Sequence, residues 1–413
     1  MRGRWFARLF FTVVAAFAVA GVMAGTACTR WGQPGPTVPM VGQITGLFVD
    51  PSTGSDTSGN GSSPKPYKTL TKAVEVLTTA KNLSPKGVII TLANGDYNAA
   101  NGEKFPIVIP TNVSLTGVSY GMGFKSGAFI NGLGEDRNFE NLVHAPRHSA
   151  YTTLEIAAAS VTVSDVYVGA SVLSLPGSHA TYVALDNLAT MIVSTSSFGA
   201  GITSALPNVG GVLVAGGSFT CHSCLIRGHE FGVGALTVPI ATASPSAITP
   251  TVFLDHSNSD SVITAKEVGI LTDGSVNVTA EEQTFQGGLF GFADALTPVV
   301  PVSIRGAVDF GGGAENSTGG NNFIGAKNTE IYVTRRNETV SALDNVWNPS
   351  EQRANRFGQY PRTIRFAAGA VGRNVTIRHS AVGSTVTVGP APVPTPSPTG
   401  SPSTSPTATA TST

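Results

Sequence analysis

Short alternating strands recur along the middle of the sequence at a nearly constant spacing. In each repeat, apolar and polar residues alternate, a small or polar pair follows, and a second short strand ends near a glycine. The repeats begin at Ser160, Thr190, Ser218 and Ser275, so their starts lie 30, 28 and 57 residues apart. Self-similarity at a period of roughly 20–50 residues, built from strands alone, indicates a solenoid of stacked parallel sheets. A β-sandwich with accidental similarity is the alternative.

A single helix is predicted at the start of this region. Leu70, Ala73, Val74 and Leu77 follow the i, i+3, i+4, i+7 spacing of one apolar helix face. We expect this helix to cover the open end of the solenoid, where strand edges would otherwise be exposed. The sequence therefore predicts an all-β fold, a parallel β-helix with one N-terminal capping helix, over residues 44–388.

An ordered run of residues in the first part of this region carries a family resemblance. It begins with Phe48-Val49-Asp50 and continues through "KPYKTL" and "NGDY" to the box "GEKFP" and the strand "VSLTG". The run resembles the bacterial family known as domain of unknown function 1565, within the pectin-lyase-like right-handed β-helix group. The resemblance implies a right-handed β-helix and export. It implies no established activity.

The first 27 residues have the features of a signal peptide. The basic start "MRGRWFAR" precedes an apolar stretch that is short for a membrane span and ends in small residues. Cys28 completes "GTAC", which resembles a bacterial lipoprotein signal whose cysteine is acylated after cleavage. Gly25 stands where such signals usually carry leucine, so plain secretion or an uncleaved anchor remains an alternative. We expect export to the cell envelope, in the periplasm or at the cell surface, with a membrane anchor on Cys28.

Two segments beside the predicted β-helix are expected to be unstructured. Residues 28–43 form a short linker that contains proline and glycine. Residues 389–413 are rich in proline, serine and threonine and carry no charged or aromatic residue. Such a composition cannot bury enough apolar surface to fold, so a disordered tail or spacer is predicted there.

Charge is sparse along the whole chain. Only 12% of the residues are charged, against about 25% in a typical soluble domain. Basic and acidic residues number 25 each, and no basic patch is apparent. Nucleic-acid binding requires clustered lysine and arginine that displace counterions, so we expect no nucleic-acid partner.

Cys221 and Cys224 form a C-x-x-C within "SFTCHSCLIRG". A redox pair of the thioredoxin type sits at a helix N-terminus, which lowers the thiol pKa, but a strand follows here. A zinc site needs four ligands, and Cys221, Cys224 and His229 supply three at most. Redox and metal roles therefore remain as minor alternatives.

The repeat frame gives the two cysteines a structural place. Aligned with the two preceding repeats, Cys221 takes the position of Val163 and Val193, and Cys224 takes that of Val166 and Ser196. This alignment predicts two small side chains at a corner of one coil. Since export exposes thiols to oxidation, a disulfide between them is possible, although so short a loop adds little stability.

The loop "DTSGNG" imitates the start of a calcium-binding loop. Asp56, Ser58 and Asn60 occupy positions 1, 3 and 5, but Tyr67 stands at position 12, where a bidentate carboxylate is required. We expect Asp50, Asp56 and Asn60 instead to hold turns through bonds from side chain to backbone. The sequence predicts no metal site and no cofactor.

Three charged islands are the candidates for catalysis. They are Glu135, Asp136, Arg137 and Glu140; Asp255, His256 and Asp260; and Arg227, His229 and Glu230. Acid–base catalysis needs two such groups that face one another in a groove. Each island is also typical of a solvated loop or corner. Asp255 is the carboxylate that we would mutate first.

These observations favour an exported, lipid-anchored β-helix that acts as a binding or structural module of the envelope. Its partner would be a polysaccharide or another envelope component, held on a long sheet face. The alternative is a polysaccharide lyase or glycoside hydrolase with a site in a surface groove. Acids gathered in one groove would favour the enzyme, and acids on separate faces would favour binding.

Overall fold

Three long sheets make up most of the described chain in the computed structural model. The described residues are 42–118, 127–137, 150–156, 161–170, 181–187, 190–194, 196–200, 209–239, 247–248, 250–255, 261–295, 306–324, 326, 329–333, 339–342, 345–347, 364–366, 375–379 and 385–388. The predicted signal peptide, Cys28, nearly all of the first linker and the C-terminal tail lie outside them. So do Glu140, His256 and Asp260.

Sheet 1 contains, in spatial order, β1 (Gly46–Val49), β2 (Val88–Leu92), β5 (Val113–Gly117), β9 (Val161–Ser164), β12 (Thr190–Ser194), β15 (Ser218–His222), β20 (Thr251–Asp255), β23 (Asn277–Ala280), β26 (Ala307–Asp309), β29 (Thr339–Ala342), β32 (Val375–His379) and β33 (Thr385–Val388). Sheet 2 contains β3 (Gly95–Asn98), β6 (Ala128–Asn131), β10 (Val166–Ala170), β13 (Ser197–Ala200), β16 (Leu225–Gly228), β21 (Val262–Ala265), β24 (Thr284–Gln286), β27 (Asn322–Ile324) and β30 (Val346–Trp347).

Sheet 3 contains β4 (Ile107–Val108), β8 (Ala150–Ile156), β11 (Thr181–Asn187), β14 (Val209–Val214), β17 (Phe231–Ala235), β22 (Val268–Thr272), β25 (Phe290–Ala293), β28 (Thr329–Val333) and β31 (Ile364–Phe366), with β7 (Gly134–Glu135) beside β8. A separate two-stranded hairpin joins β18 (Val238–Pro239) to β19 (Ala247–Ile248). The helices are α1 (Leu70–Thr79) and one 3-10 turn (Ala99–Asn101).

Neighbouring strands pair in parallel along all three sheets, and each turn of the chain adds one strand to each sheet. The strands β12, β13 and β14, for example, form one coil and pair with β15, β16 and β17 of the next. Among the described strands, antiparallel pairing is confined to β7 with β8, the β18–β19 hairpin and β32 with β33. The predicted right-handed parallel β-helix is confirmed, and the β-sandwich alternative is wrong.

The register between coils agrees with the repeat phase read from the sequence. Thr190 pairs with Ser218, and Val193 lies between Val163 and Cys221. The starts at Ser218 and Ser275 lie 57 residues apart, about two repeats, because a further strand of sheet 1 lies between them. This strand is β20, which pairs with β15 on one side and β23 on the other.

Helix α1 covers the first coil, as predicted. Leu70, Ala73 and Leu77 are fully buried, and the helix contacts β1 and β4, the first strands of sheets 1 and 3. Thr69 is the N-cap, and its side chain accepts a hydrogen bond from the backbone N–H of Lys72. The described part of the chain has no helix of the length and apolarity that crossing a bilayer requires.

Two carboxylates hold the start of α1. Glu103, from the "GEKFP" box, accepts hydrogen bonds from the backbone N–H groups of Leu70 and Thr71 at 2.6 and 2.8 Å. Asp56 accepts from the N–H groups of Lys68 and Thr69. Glu103 satisfies amides that a helix N-terminus leaves without partners, and Asp56 holds the N-cap residue Thr69 and the residue before it. The family motif thus fastens the capping helix to the first coil.

Residues in and near the loop that imitates a calcium site hold turns of the backbone. Asp50 accepts from the N–H groups of Ser52 and Thr53, and Asn60 accepts from that of Ser62. Tyr97 donates its hydroxyl hydrogen to the carbonyl of Val49. The acidic and amide oxygens are therefore engaged with the chain itself, as the turn-holding hypothesis expects.

A polar column runs through the corner between sheets 1 and 2. Successive coils place at this corner Val166, Ser196, Cys224, Ser261, Gln283, Asn321 and Asn345. Side chains from one coil bind the backbone of the previous one: Ser261 accepts from the N–H of Cys224, and Asn321 accepts from that of Gln283. The residue that directly precedes a member of the column has a left-handed backbone conformation in three coils, at Asp165, Ser223 and Glu282. The repeated turn gives these three coils the same sharp bend.

Candidate binding face

The outer surface of sheet 1 is a regular surface with several exposed side chains. Core residues such as Ile90 and Val193 point inward, so their neighbours point outward, because side chains alternate along a strand. We call this surface the sheet 1 face, and it consists of Ile89, Ser114, Thr116, Thr162, Ser164, Ile192, Thr220, His222, Phe253 and Asp255. It spans six strands, β2 to β20, which corresponds to about 24 Å.

The face combines exposed apolar groups with hydroxyls. Ile89 and Ile192 are 50% and 46% exposed, unusually high for large aliphatic side chains in a sheet. Between them lie Ser114 and Thr162, in register from strand to strand. A charged side chain enters the face only at its far end, at Asp255.

His222 and Asp255 form a hydrogen-bonded pair at that end. They are in register on β15 and β20, and His222 Nδ1 lies 2.7 and 2.8 Å from the two carboxylate oxygens. The ring of Phe253 meets His222 edge-on, with centroids 6.4 Å apart. The side chains of His222 and Asp255 are 33% and 19% exposed. With Nδ1 donating to the carboxylate, a neutral ring offers Nε2 as an acceptor to a ligand hydroxyl.

A disulfide joins Cys221 and Cys224 immediately behind His222. Both cysteines are buried, and Ser223 between them adopts the left-handed corner conformation. His222 is therefore carried on a backbone fixed by the disulfide and by strand pairing on both sides. The structure also confirms that Cys221 occupies the position of Val193.

A loop, residues 310–321, ends the open part of the face beyond Asp255. We call it the Asp309 loop, because Asp309 holds it by accepting from the N–H groups of Gly311, Gly313, Glu315 and Ser317 at 2.9 to 3.2 Å. At this end the outward residues Thr279, Asp309 and Ser341 are buried. Glu281 accepts from the N–H of Thr318 and ties the loop to β23. The sheet 1 face thus runs into a raised edge.

The other catalytic candidates lie elsewhere on the β-helix. Glu135 and Arg137 form an exposed ion pair of 3.4 Å at the end of β7, beside sheet 3, and Asp136 between them is buried. Arg227 lies on the outside of sheet 2, whereas buried His229 receives a hydrogen bond from Lys266. The described candidates therefore lie on three different sides of the β-helix, and no groove gathers them. No group of three His, Cys, Asp or Glu suited to a metal occurs among the described residues.

Sequence reasoning singled out Asp255 but missed its partner and the Asp309 loop. The repeat alignment places Cys221 and Cys224 at a corner and gives no role to His222 between them, although the repeat beginning at Thr251 places Asp255 opposite it. The coil between β15 and β20 is longer than its neighbours and contains the β18–β19 hairpin, which hid that repeat. No sequence pattern points to Asp309, because its role depends on a loop that folds back over the sheet.

One comparison with known proteins gives a family match. Residues 52–168 match the family model described as "Protein of unknown function (DUF1565)", which confirms the resemblance predicted from the sequence. No curated protein matches this sequence.

Solved structures with similar folds are distant. Pectin methylesterase PemA from Erwinia chrysanthemi is 12% identical with a TM-score of 0.37, over 78% of this chain and 93% of that one. A GH136 lacto-N-biosidase from Eubacterium ramulus is 10% identical with a TM-score of 0.36, over 81% of this chain and 67% of that one. A rhamnogalacturonan lyase is 12% identical with a TM-score of 0.28, over 74% and 73%. Similarity of this degree gives no indication of activity or substrate.

Proposed function

We propose that this β-helix with a DUF1565 segment is an exported, lipid-anchored envelope protein that binds polysaccharide along the sheet 1 face. The observation that carries the proposal is the placement of the His222–Asp255 pair beside Phe253, at the end of a flat, exposed face of aliphatic and hydroxyl side chains.

The chemistry of the face suits a sugar polymer. A pyranose ring presents C–H groups on its faces and hydroxyls around its rim. Apolar contact to the C–H faces of the sugar is offered by Ile89, Ile192 and Phe253. Hydrogen bonds to the sugar hydroxyls are offered by Thr162 and Thr220. At the end of the face, His222 and Asp255 add directional acceptors whose geometry is fixed in advance. Because each contact is weak, a chain that crosses several coils would gain by occupying many of them together.

The placement of the acids supports binding over cleavage. Hydrolysis and lyase chemistry require a second acid or base opposite the first. Asp255 faces His222, and the candidates Glu135 and Arg137 lie beside a different sheet. Among the candidate acids and bases that the structure describes, only the His222–Asp255 pair lies on the sheet 1 face, so a lyase or glycoside hydrolase acting there would have to use that pair.

A binding screen with a simultaneous assay for cleavage tests the proposal. The purified protein is run through native gels that contain neutral or acidic polysaccharides, and the same mixtures are assayed for new reducing ends and unsaturated ends. We expect retarded migration with at least one polysaccharide and no new ends. Ile192→Asp and His222→Gln should abolish or weaken the retardation, whereas Thr78→Asp, at an exposed residue of α1, should not.

Two results would overturn this function. Turnover that disappears in Asp255→Ala would make the protein an enzyme. Retardation that is equal in wild type and in Ile192→Asp would place the binding elsewhere.

The anchor rests on sequence alone and has its own test. Cells that express the protein are grown with a labelled fatty acid, and the label is followed in the wild type and in Cys28→Ala. We expect label in the wild type only. Absence of label, or label that persists in Cys28→Ala, would contradict lipidation at this residue.

A further inference from the structure

The outside of sheet 2 carries an aromatic platform that the proposed function does not use. The side chain of Tyr167 lies across two glycines of neighbouring strands. A Cβ atom added at Gly169 would come within 2.8 Å of Tyr167 Cε1, and one added at Gly199 within 3.2 Å of the Tyr167 hydroxyl oxygen. Only glycine leaves room for the ring at the first of these positions. Gly169 and Gly199 are buried beneath an outward-facing, half-buried tyrosine.

A second ring extends the platform on the preceding coil. Phe129 is in register with Tyr167, and the ring centroids are 5.6 Å apart with an interplanar angle of 53°. Both rings are half-buried. Two aromatic side chains on successive coils, laid against the outside of a sheet, are more than the core of the solenoid requires, since the core residues on these strands are Ile130 and Val168.

Polar groups stand at the edges of the platform. Exposed Asn131 lies beside Gly169, in register with it, and its Oδ1 is 3.2 Å from where the Gly169 Cβ would be. Exposed Arg227 is in register with Gly199, and its Cβ is 3.9 Å from the corresponding position there. The Tyr167 hydroxyl and the Arg227 stem therefore both lie beside Gly199. The negative charge of Asp96 lies at the opposite end, in register with Phe129.

We propose that this platform is a second saccharide site, specific for pyranose units that carry an anionic substituent. The ring of the sugar would stack on Tyr167 and Phe129, as apolar faces stack on aromatic rings. A carboxylate or sulfate on that sugar would lie at Arg227, whose planar guanidinium binds such groups with two parallel hydrogen bonds. Asp96 would repel the anion from the Phe129 end and so fix the orientation of the chain. The site is on a different sheet from the sheet 1 face and does not depend on it.

The test uses three polymers with one backbone: hydroxyethyl cellulose, carboxymethyl cellulose and cellulose sulfate. Affinity gels measure binding of the full-length protein to each. The wild type should bind both anionic polymers more tightly than the neutral one. Arg227→Gln should remove that preference, whereas Lys86→Gln, which removes one exposed positive charge elsewhere, should retain it.

Changes at the aromatic ring test the stacking. Tyr167→Ala should weaken binding of the anionic polymers about tenfold, and Tyr167→Phe should preserve most of it. Gly169→Val keeps every recognition group but displaces the ring, so it should reproduce the loss seen in Tyr167→Ala. These three variants separate a binding role from loss of the fold.

The inference is overturned if the wild type shows no preference for the anionic polymers, or if Arg227→Gln retains the preference. It is also overturned if Tyr167→Ala binds as the wild type does. A different result is expected if only the proposed binding by the sheet 1 face is wrong. In that case Ile192→Asp would bind the polymers normally, whereas Tyr167→Ala would lose binding.

Discussion

His222 and Asp255 lie 33 residues apart in the sequence and 2.7 Å apart in space, Nδ1 to Oδ1. They meet because one coil of the β-helix separates them, so that the last residues of β15 and β20 are neighbours in register. The same stacking places Phe253 beside Thr220 and Ile192 beside Thr162. This surface is defined by the register of the paired strands, and the β18–β19 hairpin inserted between β15 and β20 leaves that register intact.

The first prediction concerns the disulfide behind His222. In Cys221→Val/Cys224→Ser, each cysteine is replaced by the residue that the preceding coil carries at the same place, Val193 and Ser196. The bond closes a loop with a sequence separation of only 3, so its loss should lower the free energy of unfolding by about 2 kcal/mol or less. Urea unfolding of the two proteins measures this. A variant that fails to fold would show that folding of this coil depends on the disulfide and not on the corner turn.

The repeat phase and the capping helix could be predicted because both depend on local pattern. Alternation places Val163, Val193 and Cys221 in one interior column, and helical spacing gives Leu70, Ala73 and Leu77 one buried face. The His222–Asp255 pair could not be predicted without the register of a coil that carries an inserted hairpin. The Tyr167 platform was missed because it needs two glycines on different strands to lie beneath one ring.

The second prediction concerns the raised edge of the sheet 1 face. Asp309→Asn leaves one oxygen acceptor where two carboxylate oxygens now serve four backbone N–H groups. Leaving buried donors without an acceptor costs roughly 1–3 kcal/mol, so the variant should be less stable by that amount. Its loop, residues 310–321, should also be cut faster by protease.

The control for the second prediction is Glu281→Gln. Glu281 holds the same loop through a single exposed contact with Thr318, and its replacement should change stability by less than about 1 kcal/mol. Equal effects of the two substitutions would mean that Asp309 does not organise the loop.

The third prediction concerns the family motif. Glu103→Ala removes the acceptor of the N–H groups of Leu70 and Thr71, where α1 begins. The expected cost is roughly 1–3 kcal/mol of unfolding free energy, seen by urea titration. Lys104→Ala, at the next residue of the same box, should have a much smaller effect. The motif would not be structural if both variants were as stable as the wild type.

The fourth prediction follows from the charge of Glu103. Burial raises the pKa of its carboxyl, and this outweighs the hydrogen bonds from Thr71 and Leu70, which lower it. Because the folded-state pKa is the higher one, the stability that Glu103 contributes is complete below its unfolded pKa of about 4.3. It is lost as the pH rises through the folded-state pKa. The stability of the wild type relative to Glu103→Gln should therefore fall as the pH is raised from 4 towards neutrality. A difference that grows over this range would contradict the direction of the shift.

The most direct test of the sheet 1 face is photochemical footprinting of the protein with and without a saturating polysaccharide from the binding screen. Side chains that the polymer covers are labelled less, and mass spectrometry reads the label residue by residue. We expect protection of Ile89, Ile192 and Phe253, with unchanged labelling along α1. Undiminished labelling of these three residues in a complex that has formed would contradict the claim that polysaccharide lies on the sheet 1 face.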